Sequence, residues 1–551
     1  MASAPRAQHN FYLFHLFSPL LLAIQAVNDR NMTRISYLVA LSAAAAALQL
    51  PLQRPIKNNP HPSFHARPLV SSDTLQDSID KDRLWERAED LYALAKKSED
   101  EFNHPTRVIG SPGHLGTLDY IKSELASLGG YYNVSEQEFD AYAGRVKEFR
   151  LVIHDTVPNT TTAFSLTPPT KDNEPVFGEL ILVGDTGCKA SDYPRKVKGN
   201  IALIQRGKCA FGDKSQLAGR AGAAAAVIYN TVDEELHGEL GDGFRRTLGK
   251  PSPDHVATFG VSSKDAEEWV ENLPRGQILK GSAYIDATVE TIRTKNIIAQ
   301  TTEGDANNCV MLGGHSDSVE EGPGINDDGS GSLSILEVAS QLSAFRVENC
   351  VRFAWWSAEE EGLLGSEHYV KSLSDKENLN IRLFMDYDMM ASPNFAYQIY
   401  NATDAENPLG SELLRDLYVD WYTKSELNYT MIEFDGRSDY DPFVRAGIPA
   451  GGIATTNQDS LQGAEGVKTA VEVGLFGGEE GEWYDKNYHQ IGDDLNNLNM
   501  TAWEVNTKLI AHSVATYAAS FEGFPERTRE VGVASFRKPK CNAYSPQFCR
   551  S

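Results

Sequence analysis

The residues able to do chemistry concentrate between Leu312 and Glu361. His315 and Asp317 follow the apolar run Val310 to Leu312, and Glu359 and Glu360 follow the apolar run Val351 to Trp356. Between them lies Gly324-Ile-Asn-Asp-Asp-Gly-Ser-Gly, with Asp327 in a glycine-flanked turn. Histidine nitrogen and carboxylate oxygen are donors that zinc accepts. Two zinc ions roughly 3.5–4 Å apart need a carboxylate shared between them, and Asp327 in its rigid turn is the candidate. In His-x-Asp, Asp317 can accept the second imidazole N–H of His315 and fix its tautomer. Side chains of adjacent residues point apart, so Glu359 and Glu360 divide into one metal ligand and one general base. The residues alone leave open which is which. The stretch reads as half of a two-metal hydrolase site.

Such groups need a scaffold. Ligands of an open α/β sheet sit outside the carboxyl ends of its strands, so the two apolar runs are read as buried parallel strands. The glycine-rich turn opens a helix near Ser330. Asn380 to Met390 reads as another buried strand, with Asp386 and Asp388 near its end, and Tyr488-His489 lies further downstream in YHQIGDD. Leu84 to Lys97 and Thr117 to Leu128 have the spacing of amphipathic helices, the second ended by glycines. Tyr131 to Phe139 and Tyr429 to Phe434 read as strands, and Leu409 to Tyr422 and Thr501 to Ser520 as helices. Taken singly, each polar residue has an ordinary explanation: His489 a surface histidine, Glu359–Glu360 a solvated helix start, Asp386 and Asp388 strand-end caps. Their combination at successive strand ends does not.

With 551 residues, 41% of them hydrophobic, the chain can bury a large core and divide into two or three domains. A formal net charge of −25 argues against nucleic acid or an anionic membrane surface as partner. Ile35 to Leu50, after Met32-Thr-Arg, has the makings of a signal peptide. A second apolar run, Phe11 to Val27, lies upstream. The reading is residues 1–31 as an N-terminal extension, 32–50 as signal peptide and 51–80 as propeptide or linker. Six cysteines in a secretory chain imply disulfides, and sequence neighbours offer Cys188–Cys209, Cys309–Cys350 and Cys541–Cys549. Sequons at Asn133, Asn159, Asn401, Asn428 and Asn499 fit glycosylation.

Residues 148–287 change character, with strand-like runs from Glu179, Asn200 and Ala223 and no cluster of metal ligands or nucleophiles. This stretch resembles a protease-associated domain. It interrupts a peptidase domain whose parts are residues 81–147 and 288–525, leaving 526–551 as a tail. Over roughly residues 85–520, the motifs GHSDS, GINDDGSG, WWSAEEEGLLGS, DYDMMASPN, GRSDYDPFVRAGIPAGG and GAEGVKT…YHQIGDD resemble the di-zinc aminopeptidases of the vacuolar and secreted fungal group.

The resemblance implies a mixed, mostly parallel α/β sheet flanked by helices, with the insert β-rich. It implies two Zn²⁺ per chain, one held by His315 and Asp388, the other by Glu360 and His489, and both by Asp327. Asp386 competes with Asp388, and the match around Met389 favours Asp388. Glu359 becomes the base, removing a proton from a metal-activated water, and Tyr488 polarises the scissile carbonyl. Arg437 contacts the peptide beyond the cleaved bond, or else serves a structural ion pair. Expected partners are peptides with a free N-terminus. No nucleic acid, stable membrane association or oligomer is expected, and the location is secreted or alternatively vacuolar. A glutaminyl cyclase, dipeptidase or carboxypeptidase of the same fold, or a receptor-like homologue without activity, would differ in metal count or in turnover.

Overall fold

The computed structural model describes residues 67–233, 235–238, 240, 252–434, 436–456 and 467–527. The expected extension, signal peptide, most of the linker, the Cys541–Cys549 pair and most of the tail lie outside these residues. The strands are β1 Tyr132–Ile153, β2 Thr162–Ala163, β3 Val176–Leu182, β4 Ile201–Gln205, β5 Ala225–Tyr229, β6 Thr258–Val261, β7 Lys280–Thr301, β8 Asp305–His315, β9 Asn349–Trp356, β10 Ile381–Tyr387, β11 Gln398–Tyr400, β12 Thr430–Ile432 and β13 Ala450–Ala454. They run in the order β12-β11-β13-β10-β8-β9-β7-β3-β4-β5-β6-β2, with β1 beside β7.

The middle of this sheet positions the site. β13, β10, β8 and β9 are parallel neighbours, so their carboxyl ends lie side by side. His315 pairs with Trp356, and Asp386 with Gly313. Successive side chains of a strand point to opposite faces, and both faces here are covered. Val310, Leu312, Val351, Phe353, Trp355, Leu383 and Met385 pack on one side against the helices Lys81–Ala95, Pro112–Ser127, Gly329–Leu342 and Met500–Ala519. Met311, Ala354, Trp356 and Phe384 pack on the other against Tyr369 and Phe443, with the rings of Phe384 and Phe443 stacked 3.8 Å apart. Two buried faces explain the unbroken apolar runs, and each large side chain so buried contributes about 1.5–3 kcal/mol.

The helices obey local rules. Lys81–Ala95 is capped by Asp80 and buries Leu84, Ala88, Leu91 and Ala95, a 3.6-residue stripe. Pro112–Ser127 starts with the Ser111 hydroxyl accepting the His114 N–H and with proline at its first position.

The insert is built on β3, β4, β5 and β6, mutually parallel, with the helices Phe211–Arg220 and Ser263–Asn272 and cores of its own. No break falls at residue 148 or 287, since both lie inside continuous strands. β1 and β7 form one antiparallel ribbon of 22 residues each. β7 pairs with β9 near one end and with β3 near the other, so the ribbon ties insert to peptidase sheet. Residues 67–80, the end of the stretch read as propeptide or linker, are packed against the peptidase core. Ser72–Asp77 is a helix whose Ser72 hydroxyl lies 2.7 Å from His512 Nδ1, and Val70, Leu75 and Ile79 join the main core. Cys188–Cys209 and Cys309–Cys350 are disulfide-bonded. Among the described residues, no helix is long and apolar enough to cross a membrane.

Candidate metal centre

His315 is the last residue of β8. Its N–H donates to Asp328 Oδ2 at 2.9 Å, and its carbonyl accepts the Ser332 hydroxyl. Asp327 and Asp328 precede the helix Gly329–Leu342 and are joined by a cis peptide. Asp327 is held by Asp493, whose two carboxylate oxygens accept the N–H groups of Asn326 and Asp327 at 2.9 and 3.0 Å. Glu359 and Glu360 follow β9, Asp388 follows β10, and His489 lies in the turn after Tyr488.

Six side chains from five separate segments converge. Asp327 Oδ1 lies 3.2 Å from His315 Nε2, and Asp327 Oδ2 lies 3.2 Å from His489 Nε2. Glu360 Oε2 is 3.1 Å from His489 Nε2. Glu359 Oε2 and Asp388 Oδ1 are each 3.9 Å from His315 Nε2. The Ser438 hydroxyl donates to Asp388 Oδ2 at 3.0 Å. Asp386, the competitor, instead accepts the Tyr440 N–H at 3.3 Å.

Asp317 does not orient His315 in the way its spacing implied. It lies on the Nδ1 side of the ring but 3.9 Å away, beyond hydrogen-bond range. Its oxygens accept the N–H groups of Glu359 and Glu360 at 3.4 and 3.3 Å, tying the end of β8 to the turn after β9. Those backbone donors lie within its reach and compete for it. Tyr488 stacks on His489 with ring centres 3.8 Å apart. Arg437 is half-buried, and its charge reaches the Tyr488 hydroxyl.

The electrostatics are those of a buried anionic cluster. Burial, then Glu360, Asp439 and Asp388, push the Glu359 carboxyl well above its usual range against the opposing charge of His315. Burial and the neighbouring Asp327 push Asp388 up to about 8. Burial would also raise Asp327, but hydrogen bonds from His315 and His489 overturn it and hold that carboxyl below its usual range. Burial lowers both imidazoles, yet the surrounding carboxylates win and raise them. Burial and the charges of Asp327 and Glu360 keep the Tyr488 phenol protonated.

These donors fit divalent metal ions. One nitrogen or oxygen from each of His315, Asp327 and Glu360 lies within 4.8 Å of the others, and the same holds for His315, Asp328 and Asp388. Glu360 Oε1 and Asp388 Oδ1 are buried without a hydrogen-bond partner among the described residues. Asp327, Glu359, Glu360 and Asp388 together can carry four negative charges, the charge that two divalent cations balance. Ala358, Met389 and His489, at or beside these groups, have φ of 61°, 57° and 56°. Left-handed backbone at non-glycine residues costs about 1–3 kcal/mol and persists where its surroundings impose it.

Asp328 went unnoticed in the sequence beside Asp327. It accepts three backbone N–H groups, from His315, Gly331 and Met389, so it joins β8, the helix start and the turn bearing Asp388. The signal was present, since an aspartate before Gly-Ser-Gly and an apolar helix is a typical N-cap. Close packing there requires glycine at two positions. A Cβ at Gly331 would lie 1.9 Å from the Tyr387 carbonyl, and one at Gly314 would lie 2.6 Å from Asp328 Oδ2. Asp493 left no comparable signal, because the two groups it holds at the metal centre are backbone amides far away in the sequence.

Residues 296–514 match the model of Peptidase family M28, and residues 176–269 match that of the PA domain. Aminopeptidase Y of Saccharomyces cerevisiae is 49% identical over 89% of this chain and 87% of its own length. Leucine aminopeptidase 2 of Trichophyton equinum is 42% identical over 84% of this chain and 89% of its own. Among solved structures, the aminopeptidase from Aneurinibacillus sp. strain AM-1 is similar with a TM-score of 0.66 and 26% identity, covering 84% of this chain and 99% of that one.

Proposed function

The chain belongs to peptidase family M28 and carries a PA domain, and from that membership we propose that it is a zinc aminopeptidase releasing N-terminal residues from peptides. One observation carries the reading furthest. The two oxygens of Asp327 each face a different histidine at 3.2 Å, the arrangement a carboxylate shared by two metal ions needs. One zinc is assigned to His315 and Asp388, the other to Glu360 and His489, with Asp327 common to both.

Bound there, the zinc ions lower the pKa of a water molecule and draw electron density from the peptide carbonyl. Glu359 lies beside this cluster, its Oε2 3.9 Å from His315 Nε2. Glu359 is the carboxylate that takes a proton from the attacking water and later gives it to the leaving amine. Tyr488, protonated and beside His489, donates its hydroxyl to the carbonyl oxygen as negative charge develops there. The carboxylates also receive the substrate's free ammonium group, which explains action at an N-terminus. Arg437 is assigned to the peptide beyond the cleaved bond.

The protein is read as a monomer that follows the secretory route to the exterior or to a vacuole. The disulfides fit an oxidising compartment. The experiment that tests the activity is release of p-nitroaniline from a set of aminoacyl p-nitroanilides by zinc-loaded protein, beside N-acetylated controls. Hydrolysis of the free amines alone is expected. Equal hydrolysis of the blocked substrates, or none of either, would refute the reading.

A further inference from the structure

The loop from Ser316 to Gly324 joins His315 to the turn of Asp327 and has no regular structure of its own beyond turns. Its buried carbonyl groups need donors. One side chain supplies those of Ser316, Pro323 and Gly324. Arg107, fully buried, lies before the helix Pro112–Ser127 and far from this loop in sequence. Its Nε–H donates to the Pro323 carbonyl at 2.8 Å, one Nη to the Ser316 carbonyl and the other to the Gly324 carbonyl. Its own backbone N–H donates to Ser318 Oγ at 2.9 Å, and its carbonyl accepts the Ser318 N–H at 3.3 Å. The guanidinium therefore grips the residue after His315 and a residue three before Asp327.

A buried charge is expensive unless hydrogen bonds and counter-charges offset it. Arg107 has three carbonyls in its fork and the buried carboxylates Asp317, Asp328, Asp493 and Asp327 around it. All four of those acids act on the candidate metal centre: Asp327 within it, Asp317 at the turn of Glu359 and Glu360, Asp328 at His315 and Met389, and Asp493 at Asp327. A planar fork with fixed angles suits this better than a lysine, whose ammonium is a point charge on a flexible stem. Arg107 also lies outside residues 296–514, so nothing in the family match assigns it a role.

We propose that Arg107 is a positioning residue for the metal centre, fixing the separation between His315 and Asp327 and so setting the affinity for zinc. The proposal rests on the two-zinc reading given above. A site that places both Asp327 oxygens 3.2 Å from different histidines tolerates little displacement of its loops.

The test uses the full chain, R107M and R107K, with Zn²⁺ alone as the probe. Metal-stripped proteins are titrated with zinc against a competing chelator, and their thermal midpoints are measured with and without zinc. R107M should fold but bind zinc at least tenfold more weakly, with a smaller zinc-induced rise in midpoint. R107K, which keeps the charge and loses the fork, should fall between. Wild-type affinity in either folded variant would overturn the proposal. Failure of both to fold would overturn it too, since Arg107 would then serve the fold rather than the site. Wild-type protein that takes up no zinc would instead refute the functional reading beneath it.

Discussion

Replacing Glu359 by glutamine separates its role from that of its neighbour. The amide has the shape of the carboxylate but cannot accept a proton from water. A positioned general base contributes about 10²–10⁴ in rate, or about 3–5 kcal/mol of barrier. Of the two adjacent glutamates, Glu360 approaches His489 to 3.1 Å and takes the ligand role, and Glu359, whose Oε2 is 3.9 Å from His315 Nε2, takes that of the base. Zinc content should therefore remain at the wild-type value while kcat on leucine p-nitroanilide falls at least a hundredfold and KM changes little. The metal-free variant should match wild type in stability, because burial, Glu360, Asp439 and Asp388 already disfavour the charged form of Glu359. Loss of zinc would show that base and ligand have been exchanged. Activity within tenfold of wild type would refute the role outright.

Other outcomes follow from the packing and the charges. Asp328→Ala strands three backbone N–H groups in the interior and should cost about 3 kcal/mol or more, read as a lower denaturation midpoint of the metal-free protein. Leu75→Ala should cost about 2–5 kcal/mol in the same measurement, because Leu75 is fully buried in the main core and not in a linker. Asp386 and Asp388 are pushed up to about 8 and Asp439 to about 7, each chiefly by burial. A carboxyl raised in the folded state binds more protons folded than unfolded, so stability falls as pH rises from about 4 towards 8. Thermal midpoints of metal-free protein should accordingly drop between pH 5 and pH 8, and saturating zinc should flatten that slope.

The strand ends were legible because the strands are buried on both faces. A run such as Val351 to Trp356 has no polar residue pointing outward except Arg352, so the acids immediately after it stand out. His315, Glu359 and Glu360 stand out for that reason, Asp327 through its glycine-flanked turn, and Asp388 and His489 through the family resemblance; the structure draws all six into one cluster. What could not be read acts through the backbone. Asp328, Asp493 and Arg107 bond to main-chain groups, and those bonds leave no trace in the identity of their partners. Asp317 was assigned to a ring when two N–H groups lay closer. The insert's edges were blurred by the β1–β7 ribbon, which carries one strand pattern through both domains. Residues 67–80 looked like linker because their one helix is six residues long, too short for periodicity to register.

The most direct measurement is the number of zinc ions bound. Metal-stripped protein titrated with Zn²⁺ should take up two equivalents, and Asp327→Asn should weaken both, since one side chain faces both histidines. A single equivalent in the wild type, or a variant at Asp327 that still holds two with unchanged affinity, would contradict the shared-carboxylate site on which the account stands.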